Sequence, residues 1–208
     1  AVRRLNQLTG PFILRRMKSD VLKELPPKTE NVYRIELEEE QRKLYLAAVV
    51  DAREKLQAAK PEDKMAVFAV LMRLREICCD PRLIADNWEG GSAKLDACAE
   101  LVSSAVEGGH RILLFSQFTS MLELLAKRLD AEGISHFTLQ GSTPKPVRAE
   151  LVRRFNGGEV SVFLISLRAG GTGLNLTAAD IVIHYDPWWN VAAQNQATDR
   201  AYRIGQQN

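Results

Sequence analysis

Cysteine, histidine and long apolar runs are all scarce in this sequence, and each shortage argues against a class of protein. The three cysteines are Cys78, Cys79 and Cys98. They form no Cys-x-x-Cys pair, and their odd number supplies no disulfide framework, which favours a reducing compartment. The three histidines lie far apart without metal-ligand spacing, so no metal site is expected. No apolar run approaches the roughly 18 residues that a membrane span requires, so no membrane partner is expected either.

A strong excess of charge of one sign is also missing. The 208 residues carry 28 Lys and Arg against 26 Asp and Glu, which gives a formal net charge of +2. Whole-chain charge therefore does not identify a nucleic-acid-binding protein, and any DNA surface must come from local placement of lysine and arginine. The hydrophobic content of 46% is enough for one good-sized domain, with or without an appendage.

The motifs of a complete NTPase site are absent as well. No G-x-x-x-x-G-K-[ST] phosphate loop occurs, and the Gly-Ser-Thr at 141–143 lacks both the preceding glycine and the lysine. No acidic D-E-x-[HD] motif, which would hold a metal ion and a water molecule, is present. A complete NTPase site therefore cannot be built from these residues alone.

The N-terminal 92 residues divide into two parts by composition. Residues 1–36 are basic, with eight Lys and Arg against four acids, and the Leu-Pro-Pro run at 25–27 breaks any helix. Within this part, 31–37 (NVYRIEL) alternates like a half-buried strand. Residues 37–92 contain two amphipathic helical stretches divided at Pro61, followed by the linker-like DNWEGGS. We predict a helical appendage that packs on a second unit.

From residue 93 onward, short apolar strands alternate with helices. Predicted strands span 111–116, 136–140, 160–166 and 181–186, and predicted helices span 92–106, 120–133, 143–156 and 190–203. A cap at Ser92 and a capping box from Ser120 to Glu123 set two of the predicted helix starts. Continuous apolar strands that alternate with helices indicate a parallel sheet covered on both faces. The expected fold class is therefore α/β.

One loop that follows an apolar strand is rich in glycine, at the carboxyl edge where open parallel sheets bind their ligands. Gly170, Gly171 and Gly173 leave their backbone N–H groups free to approach a phosphate or a sugar. Two alternatives stay open at this point. The loop is a weak match to a dinucleotide fingerprint whose third glycine is missing, or it is a tight turn that needs positive φ.

The last predicted helix carries a second candidate site. Gln196, Arg200 and Arg203 lie at i, i+4 and i+7, so they share one helix face. Two guanidinium groups one turn apart suit the phosphate oxygens of a nucleoside triphosphate, and the alternative is a solvated basic face. The Trp188-Trp189 pair before this helix is either packed in the core or part of a contact surface.

These segments, in this order, resemble the C-terminal helicase motifs of the Swi/Snf-type ATPases. The motifs are RILLFSQF, QGSTPKPVR, RRFN, ISLRAGGTGLNLTAADIVIHYDPWWN and QATDRAYRIGQ. PFILRRMKSDVLKELPPKTE resembles the family's stretch between its two motor lobes, and LREICCDPRLI resembles its helical insertion. The sequence departs from the family pattern at Gln140, Asp80 and Val191, where Asp, His and Pro are usual; none of these is a catalytic group.

The resemblance implies a RecA-like parallel sheet with helices on both faces and a helical insertion near the N-terminus. It divides the chain into an inter-lobe linker at 1–36, a helical insertion and linker at 37–92, and the C-terminal lobe at 93–208. It also implies roles for individual residues. Arg200 and Arg203 would be arginine fingers supported by Gln196; Gly171, Gly173 and Asn175 would face the nucleotide; Ser116, Gln117, Ser142, Thr143, Ser166, Arg168 and Trp189 would contact DNA.

The activity implied by the resemblance is ATP-driven translocation along double-stranded DNA, with this chain as the second motor lobe. ATP and Mg²⁺ would be bound mainly by an N-terminal lobe, so neither a tightly bound cofactor nor ATPase activity is expected of this chain alone. Expected partners are the DNA backbone, that N-terminal lobe and an unidentified protein cargo, in a bacterial cytoplasm at the nucleoid or in a eukaryotic nucleus. The alternatives are a protein-interaction platform, disfavoured by the arginine pair, and a Rossmann oxidoreductase, disfavoured by the broken glycine pattern.

Overall fold

The computed structural model describes residues 29–58, 63–170, 174–187 and 191–199. Most of the basic N-terminal segment therefore lies outside the described residues. Residues 29–38 form neither helix nor strand, and nearly all of their side chains are exposed. The strand predicted at 31–37 is wrong, because this segment pairs with none of the strands in the described sheet. A strand needs a partner for its backbone hydrogen bonds, and alternating side chains do not supply one.

Two helices and a short 3₁₀ turn precede the sheet. Helix α1 is Glu39–Ala58, helix α2 is Lys64–Cys79, and the 3₁₀ turn is Pro81–Leu83. Asp63 caps α2, since its carboxylate accepts a hydrogen bond from the Ala66 amide at 3.0 Å. The fully buried Gln41 donates from Nε2 to the Ile77 carbonyl oxygen at 2.8 Å and fastens α1 to α2. The predicted break at Pro61 falls between the helices, although Pro61 itself lies outside the described residues.

The elements that follow alternate between strand and helix. The strands are β1 Ile112–Ser116, β2 His136–Leu139, β3 Val162–Ser166 and β4 Ile181–His184. The helices are α3 Ala93–Glu107, α4 Thr119–Ala131, α5 Lys145–Asn156, α6 Leu167–Gly170 and α7 Val191–Thr198. Every predicted strand of this region is confirmed, with one or two residues fewer at an end. Among the described residues, no helix is both long and apolar enough to cross a membrane.

Two predicted helix caps are wrong. The capping box at Ser120 fails because α4 already begins at Thr119, with Phe118 in the N-cap position. Ser92 occupies the N-cap position of α3 but makes no capping hydrogen bond. Its hydroxyl donates instead to the Cys79 carbonyl oxygen at 3.1 Å, so it joins the helical appendage to the sheet domain.

The four strands are parallel and lie in the order β2-β3-β1-β4. Strands β1 and β3 pair in register, so that Ser116 and Ser166 lie directly opposite each other at the carboxyl ends. On its other side β1 pairs with β4, and Phe115 lies opposite His184. Every residue of the two central strands is buried, as expected for strands that are covered on both faces.

Hydrophobic cores lie on both faces of the sheet, which confirms the predicted α/β fold. One core packs α3 and α4 against Ile112 and Leu114 of β1, and it includes the Tyr185 ring that follows β4. The other packs residues of α5, α6 and α7 against Leu113 and Phe115. Strand β1 therefore sends alternate side chains to opposite faces, as a central strand must.

The helical appendage is fastened to the sheet domain where α2 ends. The Tyr185 hydroxyl donates to the Cys79 carbonyl oxygen at 2.8 Å. The next residue, Asp80, is fully buried, and it accepts two hydrogen bonds from the Arg82 guanidinium at 2.8 and 2.7 Å. A buried carboxylate needs such a partner, so this pair keeps the junction free of an uncompensated charge.

Candidate functional site

The connections that follow the neighbouring strands β1 and β3 lie on opposite faces of the sheet. After β1 the chain continues into α4 on one face, and after β3 it continues into α6 on the other. The carboxyl ends of such a pair flank a crevice, which is where open α/β sheets bind ligands. We define the carboxyl-edge site as Ser116, Gln117, Ser166 and Asp186 with the loops that follow them. Two of the predicted site residues, Ser116 and Ser166, therefore face each other at this crevice.

The hydroxyl groups of these two serines are buried and are already bonded within the protein. Ser116 Oγ accepts a hydrogen bond from the Phe118 amide at 3.1 Å and so shapes the turn between β1 and α4. Ser166 Oγ accepts one from the Ala169 amide at 3.3 Å at the start of α6. Both side chains order the loops in this conformation, and their direct contact with DNA stays a prediction.

Gln117 is bonded to two other parts of the molecule. Its amide donates to both carboxylate oxygens of Asp186, at 3.1 and 3.0 Å. Its Oε1 accepts a hydrogen bond from the Arg75 guanidinium of α2 at 3.3 Å. The Gln117 Nε2 group is buried and has no hydrogen-bond partner within the described part of the chain. A buried donor without an acceptor is costly, so a ligand oxygen placed here would relieve that cost.

Asp186 holds a nearly buried carboxyl group beside this glutamine, with 3% of the residue exposed. Burial raises the pKa of Asp186 to about 6, against the hydrogen bonds from Gln117 and Ser116 and the charges of Lys94 and Arg75, which lower it. The folded protein therefore binds the carboxyl proton more tightly than the unfolded chain does. Ionising Asp186 lowers the free energy of unfolding.

We expect Asp186→Asn to remove a pH dependence of stability in the window between the ordinary aspartate pKa of 3.8 and about 6. Because the pKa of Asp186 is raised in the folded protein, the protonated carboxyl group stabilises the fold below this window. That stabilisation is lost as the pH rises through the window. The free energy of unfolding of the wild type should fall by on the order of 2 to 3 kcal/mol relative to the variant. Urea unfolding of both proteins from about pH 4 to pH 7 measures this difference. Parallel curves would contradict the assignment.

The loop after β2 contains one exposed and one half-buried candidate. Thr143 Oγ1 accepts a hydrogen bond from the Gln140 amide at 3.0 Å, and the Thr143 amide donates to the Gln140 carbonyl oxygen at 3.1 Å. Thr143 therefore closes a tight turn, and Pro144 takes the N-cap position of α5. Ser142 is exposed at the tip of this turn, so its side chain is open to a ligand from solvent.

The loop after β3 separates its two described candidates. Arg168 is exposed on α6, close to Ser166 at the carboxyl edge. The carbonyl oxygen of Asn175 accepts a hydrogen bond from Asn156 Nδ2 at 2.9 Å. Asn156 ends α5, which runs from the carboxyl edge back toward the amino edge before β3 begins. This contact places Asn175 away from Ser166, and its predicted contact with a nucleotide stays a prediction.

Helix α7 carries the last described candidate. Gln196 is exposed, while the adjacent Ala197 is buried in the core below. His184 Nε2, at the end of β4, lies 3.0 Å from Thr198 Oγ1 and ties the end of α7 to the sheet. Five other candidates lie outside the described residues: Gly171, Gly173, Trp189, Arg200 and Arg203.

The described side chains form no metal site and no thiolate nucleophile. No three His, Cys, Asp or Glu side chains converge there as a metal site requires, so these residues do not fit a resident Mg²⁺. Burial raises the pKa of Cys79 and of Cys98 to about 12. Both side chains are therefore neutral thiols at neutral pH, which suits packing rather than catalysis.

Arg75 and Asp186 are the residues of this site that sequence reasoning missed. Arg75 follows the helical spacing of apolar residues in α2, which is typical of packing positions. A charged residue on a largely apolar helix face is the signal that could have indicated it, because a partly buried guanidinium needs acceptors nearby. Asp186 is noticeable in the sequence only as the start of a loop after an apolar strand.

Comparison with known proteins assigns two segments of the chain to related families. Residues 93–205 match the helicase conserved C-terminal domain, and residues 1–83 match the SNF2-related domain. The chain is 40% identical to an uncharacterized ATP-dependent helicase of Mycoplasma pneumoniae, covering 97% of this chain and 20% of that protein. It is 38% identical to the human SWI/SNF-related matrix-associated actin-dependent regulator of chromatin subfamily A member 1, covering 99% and 21%. The chain thus spans about a fifth of the length of these curated relatives.

A solved structure shares the fold of nearly the whole chain. The Sulfolobus solfataricus SWI2/SNF2 ATPase core in complex with double-stranded DNA aligns with a TM-score of 0.76 at 30% identity. The alignment covers 99% of this chain and 45% of that one, and it confirms the RecA-like architecture. The chain belongs to the SNF2-related helicase family, and its four-stranded unit is the family's helicase C-terminal domain.

Proposed function

We propose that this chain is the second motor lobe of a longer protein, an ATP-dependent translocase on double-stranded DNA. The observation that carries the proposal is the carboxyl-edge site, where the loops after the neighbouring strands β1 and β3 leave toward opposite faces of the sheet and flank a crevice. The ATP-dependent helicases among its relatives and the DNA-bound SWI2/SNF2 ATPase core support it. Its proposed partners are the DNA backbone, a preceding RecA-like lobe and a protein bound on the DNA.

The proposed DNA contacts are made to phosphates. Ser142 and Arg168 are exposed on the loops that follow β2 and β3, whereas the unpartnered Gln117 Nε2 donor is buried and would have to be uncovered when DNA binds. A hydroxyl, a guanidinium and an amide N–H all suit phosphate oxygens, and such contacts carry no sequence information. Ser116, Thr143 and Ser166 support these loops from below, and Trp189 is proposed to pack beside the backbone. Binding should therefore depend on salt and not on base sequence.

The proposed nucleotide contacts lie at the end of the chain and in the glycine loop. Arg200 and Arg203 would act as fingers on the γ-phosphate of an ATP molecule held by the preceding lobe, with Gln196 in support. Gly171 and Gly173 would face the nucleotide. Asn175, two residues after Gly173, stays part of this proposal, and its backbone carbonyl oxygen accepts a hydrogen bond from Asn156 Nδ2 at 2.9 Å.

The proposed cycle uses closure of the two lobes. ATP binding would bring the lobes together, which completes the site only when the fingers reach the γ-phosphate. Hydrolysis would let the lobes reopen, and an alternating grip on phosphates would turn each cycle into a step along DNA. Mg²⁺, held by the preceding lobe, would neutralise phosphate charge when bound.

Arg168→Ala in the full-length protein tests the DNA-facing half of the proposal. We expect affinity to fall alike for duplexes of unrelated sequence, because the lost contact is to a phosphate. The slope of log K against log salt should shrink by about 0.9 for that one contact. Fluorescence anisotropy with two unrelated duplexes over a range of salt concentrations measures both quantities.

Arg153→Ala is the matched control for this experiment. Arg153 is exposed, donates to Glu150 at 2.9 Å, and lies in the last turn of α5, away from the carboxyl edge. It should leave both the affinity and the salt slope unchanged. A marked preference of the wild type for one duplex, or an unchanged slope for Arg168→Ala, would contradict the proposed DNA contact.

A further inference from the structure

One arginine of the helical appendage contacts two loops of the carboxyl edge at once. The Arg75 guanidinium donates through Nη1 to Gln117 Oε1 at 3.3 Å and through Nη2 to the Pro187 carbonyl oxygen at 2.7 Å. Gln117 follows β1 and Pro187 follows β4, so the planar group joins segments 42 and 112 residues away in the sequence. Because the guanidinium is a rigid fork, it fixes the directions of both bonds together.

We propose that Arg75 is a positioning residue through which the helical appendage orients Gln117 for contact with a DNA phosphate. The inference rests on the function proposed for Gln117. Arg75 lies within residues 1–83, which match the SNF2-related domain, whereas Gln117 lies within the helicase C-terminal domain. The proposed DNA contact of the helicase C-terminal domain therefore depends on how the SNF2-related segment packs against it.

The chemistry of the two side chains explains how the orientation is set. A guanidinium can only donate hydrogen bonds, so it selects the carbonyl end of the Gln117 amide, Oε1. The NH₂ end, Nε2, then points elsewhere and stays without a partner among the described residues. Nε2 is a donor that suits a phosphate oxygen, and because it is buried here, the proposed contact requires the groups that cover it to move aside when DNA binds. Without Arg75 the side-chain amide of Gln117 can rotate by half a turn and direct Oε1 toward the phosphate, which repels it.

The backbone of Gln117 is held separately from its side chain. The Asp186 carboxylate accepts a hydrogen bond from the Gln117 backbone N–H, and Ser116 Oγ accepts one from the Phe118 backbone N–H at 3.1 Å. The turn is thus bonded through its backbone to Asp186, which follows β4, and through the Gln117 side chain to α2. Loss of Arg75 should loosen the turn and misdirect the amide while these backbone bonds keep the fold in place.

Amide hydrogen exchange on the 208-residue chain tests the positioning without any activity. We expect Arg75→Gln to speed exchange at Gln117 and Phe118 by about tenfold, because the side-chain anchor is gone. Arg73→Gln is the matched control, since Arg73 is exposed two residues earlier on the same helix. It should leave both amides at wild-type rates. Should Arg75→Gln lose the native thermal transition, Arg75→Lys replaces it, because one ammonium cannot hold both acceptors in the fork geometry.

DNA-stimulated ATP turnover of the full-length protein tests the consequence. For Arg75→Gln, the DNA concentration at half-stimulation should rise about tenfold, while turnover at saturating DNA changes less than about twofold. Arg75→Lys should not restore the wild-type value. The double variant with Gln117→Ala should be no worse than Gln117→Ala alone, because Arg75 acts through Gln117.

The two experiments separate this inference from the proposed function. Absence of any DNA-stimulated turnover in the wild type contradicts the proposed function, whereas faster exchange in Arg75→Gln still supports the positioning of the turn. Unchanged exchange at Gln117 in a folded variant overturns the positioning. Full rescue by lysine, an unchanged half-stimulating concentration, or additive effects of Arg75→Gln and Gln117→Ala overturns the link between Arg75 and DNA.

Discussion

Replacing Arg203 or Arg200 by alanine should lower the DNA-stimulated ATP turnover of the full-length protein by about 10³ to 10⁵-fold. A finger stabilises charge that spreads over the γ-phosphoryl oxygens in the transition state, so its loss acts on the chemical step. Lysine should not rescue either variant, because a point charge on a flexible stem does not reproduce the planar fork. The apparent affinity for ATP should change far less than turnover, since the contact forms mainly when the lobes close.

Stability measurements and a control variant complete this test. Both finger variants should unfold at the same urea concentration as the wild type. An arginine that contacts only a ligand or only solvent contributes little to the stability of the fold. Arg153→Ala controls for the loss of a surface arginine, since that side chain is 73% exposed and ion-paired with Glu150. Wild-type turnover in both single variants and in the double variant would show that the arginine face has no part in hydrolysis.

The 208-residue chain alone should release no phosphate from ATP above a blank, even with saturating duplex DNA. It contains neither a phosphate loop nor the acidic metal-binding motif, so nothing in the sequence can hold the triphosphate and its metal ion for attack. Affinity for ATP should be millimolar or weaker, about −4 kcal/mol, because the remaining contacts are two arginines and loop amides. Phosphate release and calorimetry on the pure chain measure both, and clear turnover or a micromolar dissociation constant would contradict this expectation.

Secondary structure could be predicted from the sequence where the local pattern of residues was sufficient to identify the element. Ile112–Ser116 and Val162–Ser166 are apolar up to a final serine and are followed by helical patterns, and each proved to be a central strand buried on both faces. The segment at 31–37 alternates between polar and apolar residues, a pattern that also predicts a strand, yet it forms none. Strand formation requires a pairing partner elsewhere in the chain, which a local pattern does not reveal.

Helix caps failed for a related reason. A hydroxyl near a helix start has several acceptors and donors within reach, and tertiary contacts decide between them. Ser92 bonds to the Cys79 carbonyl oxygen across the junction instead of capping α3. That partner becomes apparent only when the appendage is packed against the sheet domain.

The carboxyl-edge rule and the motifs indicated the loops after the strands as the candidate site, and the binding roles of these loops stay predictions. Ser116 and Ser166 lie opposite each other there because of the β1–β3 register, which the sequence alone does not reveal. The bonds that organise the site join Gln117 to Arg75 and to Asp186, at separations of 42 and 69 residues. Such contacts depend on how the appendage docks, so sequence spacing could indicate the loops but not the arginine that holds them.

ATP turnover can be measured in an equimolar mixture of this chain, the preceding lobe and duplex DNA. We expect no turnover from either part alone and clear turnover from the mixture. It should disappear when the chain carries Arg203→Ala and persist when it carries Arg153→Ala. Equal turnover with the wild-type and Arg203→Ala chains, or none from two folded parts shown to bind each other on DNA, would contradict the claim that this lobe completes the ATP site.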